Sequence, residues 1–328
     1  MQLEQFKQDL LEWMEEHTGE KYTIHEVLKN NDECQIAISR KSSENAVSPN
    51  IYINDLYRDM VDGKMSFAAA ASIVEVRYAQ ALEQMPKDAL PDYSNYQEMK
   101  ECIFARLVSL TSNSILLQSA PYKEIASDLA VTYRCLAAKD EHGVASSLIT
   151  NEQLEIWGID QKELHEVAME NTPKLFPRKI QNLRDIIIEN TPEEMREMLP
   201  DELLESELPT YVITNQNGIN GATAILYPDT EEAIAEVFNE EVYILPSSIH
   251  ECILMPKWMA DKEEMTELVR NANAMVVSSQ DYLSSNVYEL QEHELINVTV
   301  QEMNNSVDDF SLDDFFQADN DMDIEPEW

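Results

Sequence analysis

The sequence predicts an α+β fold of two layers, in which short, mainly antiparallel sheets carry helices packed on one face. Short apolar runs rich in Val, Ile, Tyr and Leu lie between turn residues, which is the pattern of strands. Longer stretches repeat apolar residues at helical spacing behind capping residues. The end of the chain is acidic and lacks Lys and Arg, so it is predicted to be a disordered tail.

Residues 1–95 are predicted to form an N-terminal α+β subdomain. Two strand-like runs, YTIHEVLKN and ECQIAISRK, predict a hairpin that turns at Asn30–Asp32, and PNIYINDLY predicts a third strand. Ser66 stands as a cap before the helical stretch FAAAASIVEVRYAQALEQM. The first helix is predicted from apolar residues at helical spacing, namely Leu3, Phe6, Leu10, Trp13 and Met14.

Residues 96–190 are predicted to run as helix, hairpin and helix. The stretch EMKECIFARLVSLTSNSILLQSA predicts a helix that ends before Pro121. DLAVTYRCLAA and HGVASSLIT predict a second hairpin. Thr150 and Asp160 are each followed by Gln or Glu three residues later, so each predicts the start of a helix.

Residues 191–209 are predicted to be an acidic, proline-containing connection, because Glu189 to Pro209 carries eight acids, one Arg and three prolines. Residues 210–298 are predicted to form a C-terminal subdomain in the order ββαββα. Its helices are TEEAIAEVF and the stretch behind Asp261, which has a capping-box Glu264. Its predicted strands are Tyr211–Thr214, Ala222–Tyr227, Val242–Leu245 and Cys252–Met255. Residues 299–328 are the predicted disordered acidic tail.

Three stretches carry a family resemblance: YVITNQNGINGATAILYP, ILPSSIHECILMP and NEQLEIWGIDQKELHEVAMENTPKLFP. They resemble the recurring sequence motifs of a family of uncharacterised proteins, a domain of unknown function found in Gram-positive gut bacteria and their mobile elements. The resemblance runs from near residue 1 to about residue 295. It implies a soluble bacterial protein, and it implies no chemistry beyond what the residues themselves support.

Familiar catalytic and nucleotide-binding motifs are missing from the sequence. The six glycines form neither GxGxxG nor GxxxxGK[ST], so no loop of those kinds is present to hold phosphates. HExxH, GxSxG and SxxK are also missing. The sequence therefore excludes the classical nucleotide-binding motifs and shows none of these catalytic ones.

Ser247, Ser248, His250 and Glu251 are the nearest approach to a catalytic cluster. If the segment is a single strand, its alternating side chains separate Ser248 and His250 from Ser247 and Glu251. A Ser–His–acid triad built locally is therefore not expected.

Two interpretations of this segment stay open from the sequence. In the structural one it is a tight connection that caps a strand, with His250 bonded to a backbone carbonyl. In the functional one it lines a ligand cleft, which Asn215 or Asn217 would complete from the neighbouring loop.

No metal and no cofactor are expected, because no His/Cys spacing suggests zinc and no CxxC pair occurs.

The scattered cysteine thiols favour a reducing, cytoplasmic location. The first residues lack the basic start and apolar core of a signal peptide. No apolar run approaches the roughly 18–20 residues that cross a bilayer. The scattered cysteines are Cys34, Cys102, Cys135 and Cys252.

Net charge gives the clearest prediction about partners. Lys and Arg total 23 against 63 acids, a net charge of −40, which opposes binding to nucleic acid or to an anionic membrane. Ten of the acids follow Gln301 and alternate with apolar residues, as in segments that dock onto a basic, apolar groove of another protein. An inert solubilising tail is the other interpretation. The residues predicted to dock are Phe310, Leu312, Phe315, Phe316 and Trp328.

Three hypotheses for function follow, from different classes. The first is a non-enzymatic accessory protein that interacts with another protein and recruits it through the tail. The second is an acidic decoy that occupies the groove of a DNA-binding protein, which requires carboxylates spaced like DNA phosphates on one face. The third is an enzyme or small-ligand binder with a cleft near Asn215, Ser248 and His250.

Overall fold

The computed structural model describes residues 1–41, 48–84, 92–140, 143–196, 198–200 and 209–299. Its α-helices are α1 Leu3–Thr18, α2 Asn54–Val61, α3 Phe67–Gln84, α4 Tyr96–Met99, α5 Leu116–Ser119, α6 Asn151–Trp157, α7 Gln161–Leu175, α8 Leu183–Asn190, α9 Glu193–Arg196, α10 Thr230–Val237 and α11 Lys262–Val276. Its strands are β1 Tyr22–Leu28, β2 Cys34–Arg40, β3 Ile51–Tyr52, β4 Ile103–Ser109, β5 Tyr122–Ile125, β6 Leu129–Asp140, β7 Gly143–Leu148, β8 Arg178–Asn182, β9 Tyr211–Asn215, β10 Val242–Ser248, β11 Glu251–Pro256, β12 Tyr288–Gln291 and β13 Glu294–Asn297. Within these ranges the strands form three antiparallel sheets with helices packed against them, which confirms the predicted α+β fold.

The N-terminal layer consists of α1, α2, α3 and the sheet β1-β2-β3. The predicted hairpin is confirmed, since β1 and β2 pair from Tyr22 and Arg40 to Leu28 and Cys34. Ser66 caps α3, its Oγ accepting the Ala69 N–H at 3.2 Å. In PNIYINDLY only β3 is a strand, and the rest begins α2. The apolar stripes of α1 and α3 meet the sheet in one core, which includes Phe6, Leu10, Met14, Ile38 and Val74.

The middle sheet is built around β6, which pairs with β4 along one edge and with β5 and then β7 along the other. The predicted hairpin β6–β7 is confirmed. The helix predicted over EMKECIFARLVSLTSNSILLQSA is wrong, because its centre is β4, flanked by short helical turns. In β4 only Arg106 is partly exposed and the other residues are buried on both faces. A run buried on both faces has no period that separates strand from helix.

Two threonine hydroxyls close the outer edge of β4. The Ala105 N–H donates to Thr172 Oγ1 at 2.9 Å, and the Leu107 N–H donates to Thr223 Oγ1 at 3.0 Å. Thr172 belongs to α7, and Thr223 belongs to a 3₁₀ helix at Gly221–Leu226. An open strand edge leaves such N–H groups unpaired, so these hydroxyls satisfy the edge and fasten the middle sheet to the elements beyond it.

Helix starts agree with the predicted caps. Thr150 and Asp160 each accept a hydrogen bond from the N–H three residues on, at 3.3 and 2.8 Å. Asp261 and Glu264 form a reciprocal capping box at the start of α11. These hydrogen bonds satisfy N–H groups that the first turn of a helix leaves without intrahelical partners.

The C-terminal sheet has six strands in the order β13-β12-β10-β11-β9-β8. The strands predicted at Tyr211, Val242 and Cys252 are confirmed as β9, β10 and β11. The strand predicted at Ala222–Tyr227 is wrong: Gly221–Leu226 is a largely buried 3₁₀ helix, because a short, mostly apolar run fits either conformation when it is enclosed. Two further strands, β12 and β13, follow α11, so the predicted order ββαββα is also wrong.

A single hydrophobic core joins the middle sheet to the C-terminal sheet, and it includes Leu107, Tyr133, Leu164, Ile213 and Ile244. β8, which belongs to the predicted segment 96–190, pairs with β9 of the predicted segment 210–298. These contacts join the predicted segments, but they do not show whether each segment can fold on its own. The predicted division of the chain into subdomains and a connection therefore stays a prediction.

Candidate functional site

The segment Ser247–Glu251 forms the turn of a hairpin. β10 ends at Ser248, β11 begins at Glu251, and these two residues lie opposite each other with Ile249 and His250 as the turn. The expectation that the segment is one strand with alternating faces is therefore wrong. It is a tight connection, and Ser248 Oγ accepts the N–H of His250 at 3.0 Å within it.

Both ring nitrogens of His250 have partners. Nδ1 lies 3.2 Å from the backbone N–H of Asn220, which donates to it, so the ring proton is on Nε2 and points to Asp281 Oδ1 at 3.2 Å. The partners are thus an N–H and a carboxylate rather than the expected carbonyl. The carbonyl of His250 accepts a hydrogen bond from Thr214 Oγ1 at 2.7 Å. A ring held in this way positions the turn, and it presents no free lone pair to a substrate.

Asn215 is buried and shapes its own loop. Its Oδ1 accepts the N–H of Asn217 at 2.9 Å, and its Nδ2 donates to the carbonyl of Ile219 at 2.8 Å. The loop then reaches His250 through the backbone N–H of Asn220. The structure therefore brings the predicted loop and the predicted turn together through the backbone N–H of Asn220, and the amide of Asn215 is directed into the loop itself.

Gly221 lies where this loop crosses the hairpin turn. A Cβ added to it would be 2.1 Å from Thr214 Oγ1, 2.5 Å from the carbonyl oxygen of His250 and 2.7 Å from the Asn215 nitrogen. Only glycine permits backbones to approach so closely. The GINGA stretch is thus explained by packing of the loop against the turn.

Asp281 is a member of this junction that sequence reasoning missed. Its carbonyl accepts the Ile249 N–H at 2.8 Å, and its Oδ2 accepts a hydrogen bond from Ser278 Oγ at 2.8 Å. The same loop accepts hydrogen bonds from the N-terminal layer, because Asn30 Nδ2 donates to Gln280 O at 2.7 Å. The Ser278–Asp281 spacing is a local turn signal, but nothing local pairs it with His250.

A second polar cluster surrounds Asp128, at the start of β6. Its Oδ2 accepts hydrogen bonds from Ser284 at 2.8 Å, from Asn286 at 3.0 Å and from the hydroxyl of Tyr288, and its Oδ1 accepts one from Asn297 at 2.9 Å. Burial, together with the charge and hydrogen bond of Asp128, raises the pKa of Tyr288. Four donors engage this carboxylate, which fastens β12 and β13 to the middle sheet.

A cleft of 690 Å³ opens on the C-terminal half between α10, β10 and β12. Its apolar floor includes Ile234 and Ile244, which are buried. Its rim carries four glutamates and a single lysine, Lys257. The volume is in the range of ligand-binding pockets, about 300–1,000 Å³. The rim glutamates are Glu231, Glu240, Glu241 and Glu289. We call this feature the acid-rimmed cleft.

Lys257 shows how the acid-rimmed cleft holds a cation. Its ammonium lies 2.7 Å from Glu241 Oε2 and 2.8 Å from Glu289 Oε2. Burial opposes the charge of Lys257, but the hydrogen bonds to the two glutamates outweigh it and raise its pKa. The hydrogen bond and charge of Lys257 lower the pKa of Glu241 in turn. The rim therefore stabilises one ammonium already, and Glu240 carries a further, exposed carboxylate.

The cleft exists because two neighbouring strands separate. β10 and β12 pair only at Ile244 and Tyr288. Beyond that pair β12 continues with β13, while β10 continues with β11. The cleft opens in the gap between them. Alternating runs predict strands but not where two strands diverge, so sequence reasoning missed the cleft.

Several predicted features receive no structural description. The docking residues Phe310, Leu312, Phe315, Phe316 and Trp328 lie outside the described residues.

In the part of the chain that is described, no group of three or more His, Cys, Asp or Glu side chains is placed to hold a metal ion. No helix in those same ranges has both the length and the apolar composition of a membrane span.

The comparisons with known proteins give one match. The model of a Family of unknown function (DUF5688) matches residues 3–291, which is nearly the whole chain. The chain belongs to this family. The match confirms the resemblance that the three sequence stretches indicated. No curated protein and no solved structure is similar enough to the chain to match it. Membership in the family assigns no reaction and no ligand, so function is argued from the geometry.

Proposed function

We propose that this member of the family is a non-enzymatic interaction protein that binds a basic, partly apolar segment of another protein in the acid-rimmed cleft. The observation that carries the proposal is the ammonium of Lys257 held between Glu241 and Glu289 above an apolar floor. An extended segment that alternates Lys or Arg with apolar residues would place its apolar side chains on the floor and its charges on the rim.

Electrostatics and chain composition support the same class of partner. A net charge of −40 attracts basic surfaces and raises their rate of association at low salt. The predicted docking tail, which is acidic and aromatic, would contact a basic, apolar groove of the same partner. The proposal includes a reducing, cytoplasmic location, which the four free thiols support.

The other two hypotheses have less support. An enzyme at the hairpin turn would need a free base, and both nitrogens of His250 are engaged. A decoy of DNA would need paired carboxylates along one face, and the acid-rimmed cleft instead gathers its glutamates around an apolar floor.

The test measures binding of a fluorescent peptide that alternates lysine and leucine, with a peptide alternating glutamate and leucine as the negative control. Glu240→Lys should weaken binding of the basic peptide by about tenfold, because it replaces an attraction at the rim with a repulsion. Glu236→Lys is the matched control, since Glu236 is exposed on α10 but does not line the cleft. Binding should also weaken as salt is added.

Two results would contradict the proposal. The first is equal loss of affinity in Glu240→Lys and Glu236→Lys, which would mean that overall charge rather than the cleft attracts the peptide. The second is no difference between the basic and the acidic peptide.

A further inference from the structure

The side chain of Lys257 joins the two strands that diverge at the acid-rimmed cleft. Lys257 begins a 3₁₀ helix directly after β11, and its backbone N–H donates to the carbonyl of Glu241, just before β10, at 3.0 Å. Its ammonium reaches Glu289 of β12, on the other side of the divergence. All three residues line the cleft, and the Lys257 side chain is 28% exposed. A side chain that enters the cleft can therefore reach the position of this ammonium.

Glu289 is the carboxylate at this position that depends on a cation. Its side chain is only 13% exposed, whereas that of Glu241 is 81% exposed. Gln291 Nε2 donates to Glu289 Oε2 at 3.2 Å, but that donor is neutral. Within the described residues, Lys257 supplies the only positive charge that pairs with Glu289. An enclosed carboxylate is costly without a counter-ion, so a cation that leaves this position has to be replaced by another.

The geometry of this position favours an ammonium over a guanidinium. Oxygens of two separate carboxylates, Glu241 and Glu289, face one nitrogen at 2.7 and 2.8 Å. An ammonium is a compact charge with three donors, so a single nitrogen serves both carboxylates. A guanidinium is a planar fork whose donors match the two oxygens of one carboxylate. The ring of Tyr243, whose centre is 5.7 Å from Lys257 Nζ, adds a further surface that attracts a cation.

We propose that Glu241 and Glu289 form an ammonium-binding subsite of the acid-rimmed cleft, which Lys257 occupies in the free protein and a lysine side chain of the bound segment takes over. This inference rests on the proposed function, and it adds which cation the cleft selects. Lys257 neutralises Glu289 until the partner binds, and its flexible stem then lets the ammonium move into solvent. The exchange leaves no carboxylate unpaired, but Lys257 competes with the partner and weakens its binding.

The first test fills the subsite with a small ammonium ion and needs no peptide. Lys257→Ala removes both stem and charge, so the variant of the full chain should be less stable than the wild type. Propylammonium chloride should raise the melting temperature of Lys257→Ala saturably, measured against sodium chloride at equal ionic strength. Tetramethylammonium has the charge but no N–H donor, so it should not stabilise this variant.

Lys174→Ala is the matched control for this rescue. Lys174 is an exposed lysine on α7 whose Nζ lies 2.7 Å from Glu170 Oε1, so its loss also frees a glutamate and changes the net charge equally. Neither this variant nor the wild type should respond to propylammonium. An equal rise in Lys257→Ala and Lys174→Ala would be a general effect of the salt and overturns the proposal. The absence of any rise in Lys257→Ala overturns it as well.

The second test measures competition between Lys257 and the bound segment. Lys257→Met keeps the apolar stem without the charge, so it also serves if Lys257→Ala does not fold. It should bind the lysine–leucine peptide about tenfold more tightly than the wild type, because no internal cation has to be displaced. Lys174→Met should bind as the wild type does. The wild type should prefer the lysine–leucine peptide to one that alternates arginine and leucine.

The outcomes separate this inference from the proposed function. If neither the wild type nor Lys257→Met binds the lysine–leucine peptide, the proposed function fails and the inference fails with it. If the wild type binds the peptide but Lys257→Met gains no more affinity than Lys174→Met, only the ammonium subsite fails. An arginine–leucine peptide that binds more tightly than the lysine–leucine peptide overturns the selection of lysine and leaves the cleft as the binding site.

Discussion

Gly221 shows how a single residue fixes the junction of loop and hairpin. We predict that Gly221→Ala lowers the free energy of unfolding by about 3 kcal/mol, as overpacking of an enclosed site does. The added Cβ would meet backbone atoms of His250 and Asn215 at 2.5 and 2.7 Å, and backbone cannot rotate away as a side chain can. Urea unfolding followed by circular dichroism measures the change.

Gly143→Ala is the control for this prediction. Gly143 begins β7, and a Cβ there meets no atom within 4 Å. Its substitution should change stability by less than about 1 kcal/mol. A Gly221 variant as stable as the Gly143 variant would contradict the packing argument.

At the scale of elements, β4 depends on threonine hydroxyls from two other elements. We predict that Thr172→Val and Thr223→Val each cost about 1–3 kcal/mol, because the N–H of Ala105 or of Leu107 is left buried without an acceptor. Amide hydrogen exchange gives the local measurement. Thr172→Val should accelerate exchange at Ala105 much more than at Leu107, and Thr223→Val should do the reverse. Unchanged exchange at both amides would contradict the assignment of these hydroxyls to the strand edge.

Local signals in the sequence predicted the elements that carry such signals. The caps at Thr150, Asp160 and Asp261 depend on neighbours within three residues, so spacing alone revealed them. β4 and the 3₁₀ helix Gly221–Leu226 are mostly apolar and almost entirely buried, and their conformation is decided by what surrounds them. For those two elements the sequence predicted the opposite class, since a fully buried run has no period to read.

The candidate sites follow the same division. The polar side chains of one short segment, Ser247 to Glu251, were visible in the sequence. The hydrogen-bond partner of His250, Asp281, lies 31 positions further along the chain. Lys257 and Glu289 meet across the divergence of β10 and β12. Contacts of this kind depend on strand order, which local spacing does not encode. The acid-rimmed cleft was therefore found only in the folded chain.

For the whole molecule, buried thiols and phenols set the alkaline limit of stability. Burial raises the pKa of Cys135 to about 12 and that of Tyr96 to about 12. In the unfolded chain the thiol titrates at about 8.5 and the phenol at about 10. The stability they contribute is complete below those unfolded values and is lost as pH rises towards about 12, because the unfolded state releases protons that the folded state keeps.

We therefore predict that the free energy of unfolding falls above about pH 9 as Cys135 titrates in the unfolded chain, and more steeply above about pH 10 as Tyr96 joins it, by roughly 1.4 kcal/mol per pH unit for each group. Urea unfolding at about pH 7.5, 9 and 10.5 measures the slope. Cys135→Ala removes one of the groups and should flatten the fall between the two higher values. A slope identical to that of the wild type would show that burial of Cys135 does not set the limit.

Amide chemical-shift mapping with the lysine–leucine peptide shows whether a basic segment binds in the acid-rimmed cleft. Binding in the cleft predicts shifts concentrated at residues 231–244 and 289–291, the segments that line it. At the same peptide concentration those shifts should shrink markedly in Glu240→Lys and persist in Glu236→Lys. Attraction to a charge of −40 alone would instead spread small shifts over acidic surfaces throughout the protein, and that result would contradict binding in the cleft.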